Sequence, residues 1–177
     1  KERQTLLFSA TFPENIESLS SRLQKNPSRV KIKRSTSNPN TEQKFFKTTP
    51  DKKTQVLISL LGKYKPESSV IFCNTKQKCQ EISEELKNKG FSSRATHSDL
   101  EQRDRDETLI LFRNKSISIL VATDVAARGI HIEKMEAVIN YDLSRDPEVH
   151  IHRIGRTGRA GQKGIALNLY CEKEAYK

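Results

Sequence analysis

Ser69-Val70-Ile71-Phe72-Cys73-Asn74-Thr75 is the stretch from which the chain is read outward. Ser69 to Cys73 is a continuous, largely apolar strand, the kind that is buried on both faces of a parallel sheet. Thr75 then opens a helix that carries Ile82 and Leu86 inward and stops at Gly90. Downstream the pattern repeats. A strand is expected over Phe91 to Thr96, then a helix over Glu101 to Arg113 with Leu109 and Phe112 facing inward. Ile117 to Ala122 is a second strongly apolar strand, followed by a strand at Ala137 to Tyr141, a helix from Pro147 to Gly155 and a last strand at Ile165 to Leu169. Upstream, Phe45-Phe46 sits in a strand, and Asp51 is placed to cap a helix carrying Val56, Leu57, Leu60 and Leu61. Repeated strand-then-helix units imply an α/β fold, an open parallel sheet with helices on both faces. Such sheets bind ligands at the carboxyl ends of their strands, so the polar segments are expected there.

Nearer the start, Thr5 to Phe8 reads as a short buried strand. Pro13 suits the first turn of a helix with Ile16, Leu19 and Leu23 on one face. Asn26-Pro27 ends that helix, and Val30-Lys31-Ile32 reads as a second short strand. Arg34 to Thr41 is polar and aperiodic, as a linker is.

The 177 residues are enough for one domain with a real core and a piece of another. Hydrophobic residues make up 34% and charged residues 31%, and no apolar run approaches the roughly 18 residues of a membrane span. The chain opens on Lys1-Glu2-Arg3-Gln4 with neither an initiator Met nor a signal peptide, and a segment of a longer cytoplasmic protein is expected. A formal charge of +10, with a pI near 9.6, favours a polyanionic partner. Cys73, Cys79 and Cys171 form no metal-ligand spacing with one another or with His97, His131, His150 and His152, so no metal site is expected.

The octapeptide His152-Arg153-Ile154-Gly155-Arg156-Thr157-Gly158-Arg159 places three arginines three residues apart, broken by two glycines. On the helical part such spacing aims guanidinium groups along one side, and the glycines permit a close approach. Guanidinium is always charged and matches phosphate oxygens in pairs, as stabilisation of a phosphoryl-transfer transition state requires. The segment resembles a signature of the DEAD-box RNA helicases, in which a leading histidine, here His152, discriminates the group from related helicases.

Three further segments support that resemblance. Ser9-Ala10-Thr11 before Phe12-Pro13 resembles motif III, which ends the first of the family's two RecA-like domains. His97-Ser98-Asp99-Leu100-Glu101-Gln102-Arg103-Asp104-Arg105 resembles the family's His-Gly-x-x-x-Gln-x-x-Arg, with Ser98 in place of glycine. Val121-Ala122-Thr123-Asp124-Val125-Ala126-Ala127-Arg128-Gly129 matches motif V, except that His131 stands where the family carries an aspartate associated with the ribose. The resemblance implies the following roles. Asn74, Thr75, Gln102, Arg105 and Thr123 contact the RNA backbone. Gly129, His131, Arg156 and Arg159 line the nucleotide, with Arg156 and Arg159 as arginine fingers on the γ-phosphate. His152 acts with them and couples to Ser9 or Thr11 across the cleft, and Asp124 belongs to the same coupling. Local alternatives remain open: capping alone accounts for Thr75, and Asp99, Glu101, Asp104 and Asp106 could pair with Arg103 and Arg105 on a solvated helix.

The implied organisation is a remnant of the first RecA-like domain at 1–33, a linker at 34–42 and a second RecA-like domain at 43–177. No G-x-x-x-x-G-K-[ST] and no Asp-Glu-Ala-Asp occurs, so the phosphate-cradling loop and the residues that hold Mg²⁺ are expected in the first domain. The expected partners are ATP, RNA as a single strand or short duplex, and the first domain, with no membrane. Asp99 to Thr108 and Arg145 to His150 resemble the bacterial DbpA type, which acts on ribosomal RNA in large-subunit assembly. The alternatives are a DNA-directed translocase of the same fold and a non-catalytic RNA-binding module.

Overall fold

The computed structural model describes residues 3–8, 14–30, 40–127, 135–158 and 161–174. The chain divides into two units, Lys1–Ser35 and Thr36–Lys177. Among its described residues the first contains one helix, α1 (Glu14–Leu23), followed by Asn26 with a positive φ of 45°. Thr5 to Phe8 is not in a sheet, and Leu6 and Phe8 are exposed, contrary to the expected buried strand. A strand needs a neighbouring strand for its amides and carbonyls, and the described residues of this unit include none; the Thr5 carbonyl accepts instead from Gln24 Nε2 at 3.0 Å. Val30 is likewise exposed and outside any strand, and Lys31, Ile32, Pro13 and most of the expected linker lie outside the described residues.

The second unit is built on six parallel strands: β1 (Thr41–Lys47), β2 (Ser69–Phe72), β3 (Ser93–Thr96), β4 (Ile119–Ala122), β5 (Ala137–Asn140) and β6 (Gly164–Tyr170). Their order across the sheet is β1-β6-β5-β2-β4-β3. The intervening helices are α2 (Lys53–Tyr64), α3 (Lys76–Asn88), α4 (Gln102–Arg113), α5 (Asp124–Ala127) and α6 (Pro147–Ile154).

Every residue of β2, β4 and β5 is buried, which their apolar runs require. Side chains alternate between the faces. Ile71, Ile119, Val121 and Ile139 pack with Leu57, Leu60 and Leu61 of α2 and Cys79, Ile82 and Leu86 of α3. Val70, Phe72, Leu120, Ala122 and Val138 face the other way, onto Phe112 of α4 and Ala127 of α5. The α/β fold with helices on both faces is therefore as the sequence implies.

In this unit the expected helix-end signals hold with one exception. Thr75 caps α3, its hydroxyl accepting from the Lys78 amide at 3.2 Å. The same helix closes through Gly90, whose φ of +84° suits glycine, as the Gly90 amide donates to the Lys87 carbonyl. Asp51 does not cap α2. Lys52 occupies the cap position without a side-chain bond, and the Asp51 carboxylate is held below its ordinary pKa by a hydrogen bond from Thr49. The residue lies one position too early for its oxygen to serve the first helical amides.

Candidate nucleic-acid and nucleotide interface

β2 lies between β4 and β5, so the loops leaving these three strands emerge side by side at their carboxyl ends. They carry Asn74-Thr75, Thr123-Asp124 and Asp142. Arg153, in the last turn of α6, draws all three together. Its Nε and Nη2 donate to the two Asp124 carboxylate oxygens at 2.6 and 2.7 Å. Nη1 donates to the Asp142 carbonyl at 2.6 Å and to Asn140 Oδ1 at 3.2 Å, and Nη2 also reaches Asn74 Oδ1 at 3.2 Å. The guanidinium lies over the Phe72 ring, 5.0 Å from its centre, and the residue is only 1% exposed.

This corrects the reading of three arginines along one helix side. A buried, fully engaged guanidinium is a structural node, and Arg153 faces the sheet because α6 packs across it. Arg156 lies beyond the helix, which ends at Gly155, and its amide donates to the Arg153 carbonyl at 3.0 Å. Arg156 and His152 are half-buried. Asp124 pairs with Arg153 within this unit and keeps an edge exposed to water.

The octapeptide does not stay at the carboxyl ends. Thr157 is buried at the opposite rim, its hydroxyl donating to the Met135 carbonyl at 2.5 Å, with the Glu136 carbonyl 3.0 Å away. Thr41, the first residue of β1, donates its hydroxyl to the Thr157 carbonyl at 3.3 Å. Gly158 follows with φ of +67°, where a side chain would be strained. The polar segments therefore fall at both ends of the sheet. α6 runs antiparallel to the strands and carries its sequence from one rim to the other.

Asn74 and Thr75 are exposed. The Asn74 amide donates to Asp142 Oδ2 at 3.0 Å, and its Nδ2 donates to the Leu143 carbonyl at 3.4 Å. Asp142 Oδ1 accepts from Lys53 Nζ at 3.2 Å, and Lys53 also reaches Glu174 Oε2 at 3.4 Å. Neither Lys53 nor Asp142 was singled out in the sequence. A charged residue opening the apolar face of α2 was the available signal for Lys53; an aspartate directly after β5 was the signal for Asp142.

A second polar patch adjoins the first. Lys76, at the start of α3, pairs with Asp99 at 2.5 Å and so sets that helix beside the loop entering α4. Gln102 is exposed and Arg105 half-buried; Arg105 Nη1 donates to Gln102 Oε1 at 3.2 Å, and Gln102 Nε2 donates to Asp106 at 2.8 Å. His97 is buried, with no partner for Nδ1 among the described residues. Thr123 and Asp124 are half-buried, whereas Val125 is exposed. Ser9, Thr11, Arg128, Gly129, His131 and Arg159 lie outside the described residues. Among the described residues, no group of three His, Cys, Asp or Glu side chains could hold a metal ion, and no helix is long and apolar enough to cross a membrane.

Comparison with known proteins matches residues 52–161 to the helicase conserved C-terminal domain. The chain is 49% identical over 175 residues to the ATP-dependent RNA helicase DbpA of Escherichia coli K12, covering 99% of this chain and 38% of that protein. It is 43% identical over 173 residues to the DEAD-box ATP-dependent RNA helicase CshA of Bacillus cereus, covering 97% of this chain and 33% of that protein. Among solved structures, S. cerevisiae Dbp5 bound to Gle1 matches with a TM-score of 0.84 and 33% identity over 98% of this chain and 45% of that one. A DEAD box protein from Methanococcus jannaschii matches with a TM-score of 0.75 and 38% identity over 96% of this chain and 46% of that one. The chain thus spans about two fifths or less of the curated relatives it matches. With the parallel sheet and the converging loops described above, these matches place the chain in the helicase conserved C-terminal domain family, with a RecA-like fold similar to that of DEAD-box proteins.

Proposed function

We propose that this domain supplies half of an RNA-stimulated ATP-hydrolysis site, the other half residing in a first RecA-like domain of the same polypeptide. The observation that carries this reading is the Arg153 node. It fixes the Asn74-Thr75 loop, the Thr123-Asp124 turn and the arginine-bearing helix α6 to one another. A strand held by the first two is thereby tied mechanically to the helix from which Arg156 follows.

In this reading Asn74, Thr75, Gln102, Arg105 and Thr123 hold backbone phosphates. Thr75 and the start of α3 offer a hydroxyl and a helix N-terminus, a site suited to an anion. Arg156 and Arg159 reach the γ-phosphate of ATP, the substrate, and stabilise charge as the terminal phosphoryl group transfers to water. Gly129 and His131 flank the nucleotide, and His152 and Asp124 couple the two halves through Ser9 and Thr11. The donor chemistry of this domain fits phosphate; the described residues offer no carboxylate cluster for Mg²⁺, which we assign to the first domain. Closure of the two domains on RNA would bend the strand and separate a short duplex locally. Contacts to phosphate rather than bases predict little sequence preference. Ribosomal RNA in large-subunit assembly and a cytoplasmic location belong to the same reading, through the resemblance to the DbpA type.

The test joins this chain to a first domain that carries the phosphate-binding loop and the acidic motif. ATP turnover is then measured with single-stranded RNA and with single-stranded DNA. Stimulation by RNA alone is expected. Equal stimulation by DNA would indicate a DNA-directed translocase, and stimulation by neither would leave a binding module.

A further inference from the structure

We propose that Lys53 and Asp142 form a positioning pair that sets the Asn74-Thr75 loop for its strand, an inference that rests on the phosphate-facing role given to that loop above. The backbone ladder explains why the loop needs such a pair. Cys73, directly after β2, is the last residue there whose amide finds a strand carbonyl, that of Ala122 at 3.0 Å. The next amide, Asn74, would point past the end of the sheet. The Asp142 carboxylate takes the place of the missing carbonyl, at 3.0 Å. Asp142 is brought there by the register that pairs Phe72 with Asn140 and by its own amide, which donates to the Phe72 carbonyl at 3.1 Å.

One carboxylate oxygen serves the loop, and Lys53 holds the other. The Lys53 side chain is 7% exposed and lies over the Tyr141 ring at 5.1 Å, with Asp142 and Glu174 as its carboxylate partners. Burial opposes its charge, yet the two carboxylates outweigh that and raise its pKa. A buried ion pair of this kind contributes little net stability over apolar packing, but it does fix where its members sit. Here the member being fixed, Asp142, accepts from the amide of the exposed Asn74-Thr75 loop. The same loop is held from its other side by Arg153 on Asn74 Oδ1, so the pair and the node set its position together. The pair does not touch the strand; it acts through Asn74.

The experiment uses the 177-residue chain with Asp142→Ala, Lys53→Met and the conservative Lys53→Arg. It reads amide hydrogen exchange at Asn74 and affinity for a fluorescein-labelled oligouridylate at low salt, with Thr75→Val as a control on the interface. Asp142→Ala and Lys53→Met are expected to lose Asn74 protection and to weaken binding about tenfold, the size of one charge-assisted hydrogen bond. Lys53→Arg should restore both. Unchanged Asn74 protection in Asp142→Ala overturns the pairing. So does lost protection with unchanged affinity, and so does unfolding of both disruptive variants, which would make the pair structural. Thr75→Val that binds as tightly as wild type overturns the reading of the interface instead.

Discussion

Arg153 and Asp124 face each other across 29 residues of chain in a two-pronged ion pair, Nε to Oδ1 at 2.6 Å and Nη2 to Oδ2 at 2.7 Å. Only a planar guanidinium makes both contacts while reaching Asn74, Asn140 and the Asp142 carbonyl with its remaining protons. Removing it leaves those acceptors without their donor. Arg153→Met is therefore expected to cost about 3 kcal/mol, the lower end for breaking a buried pair, because Asp124 keeps some contact with water. For a chain of this size that is a fall of roughly 6–12 °C in Tm. Thermal denaturation followed by circular dichroism checks it, and Arg153→Lys should recover only part of the loss.

Gly164 and Thr157 set a second test. A Cβ built on Gly164 would run into the Thr157 hydroxyl and the Gly158 amide, which is backbone and cannot swing aside. Gly164→Ala must then push the octapeptide away from the start of β6, at a cost of about 1–3 kcal/mol for overpacking. Gly161→Ala meets no such obstruction, and its only penalty is a φ of +77°. Urea midpoints of the two variants should separate them, with Gly164→Ala the lower.

His150 predicts a pH dependence. Burial, and then the charge of Arg153, lower its pKa, while its Nε2 lies 3.3 Å from Gln43 Oε1. A histidine kept neutral in the folded state contributes fully above the unfolded pKa of about 6.5. As pH falls through that value the unfolded chain takes up the proton first, so stability declines and then levels off below the folded pKa. Urea midpoints from pH 8 to pH 5 should show this decline in the wild type and a flatter profile in His150→Gln.

The thiols differ in reactivity. The neighbouring Cys79 thiol and burial push the Cys73 thiol well above its ordinary range, and both residues are fully buried. Cys171 is half-exposed. A disulfide-exchange reagent at pH 8 should modify Cys171 in the folded protein, and all three cysteines only after denaturation, because the thiolate is the reactive form. Rapid modification of Cys73 without denaturant would contradict the packing of β2 against α3.

The sheet was legible because β2, apart from Ser69, and β4 throughout are apolar, a pattern that needs cover on both faces. The helix starts were legible where a side chain serves its own turn, as Thr75 does for Lys78. What stayed hidden depends on distance in sequence. Arginine spacing reveals three charges but not that α6 turns Arg153 onto the sheet. Lys53 and Asp142 are 89 residues apart, and nothing local links them. Thr5 to Phe8 shows the converse: an apolar run forms a strand only where another strand receives it.

In the proposed function Arg156 acts on the γ-phosphate rather than on the fold. In the two-domain protein, RNA-stimulated ATP turnover by Arg156→Ala should fall by about 10³-fold or more, the contribution of an arginine finger. Its thermal midpoint and RNA affinity should stay close to wild type. Turnover that persists in the variant, or that is lost only because the domain has unfolded, would contradict the assignment.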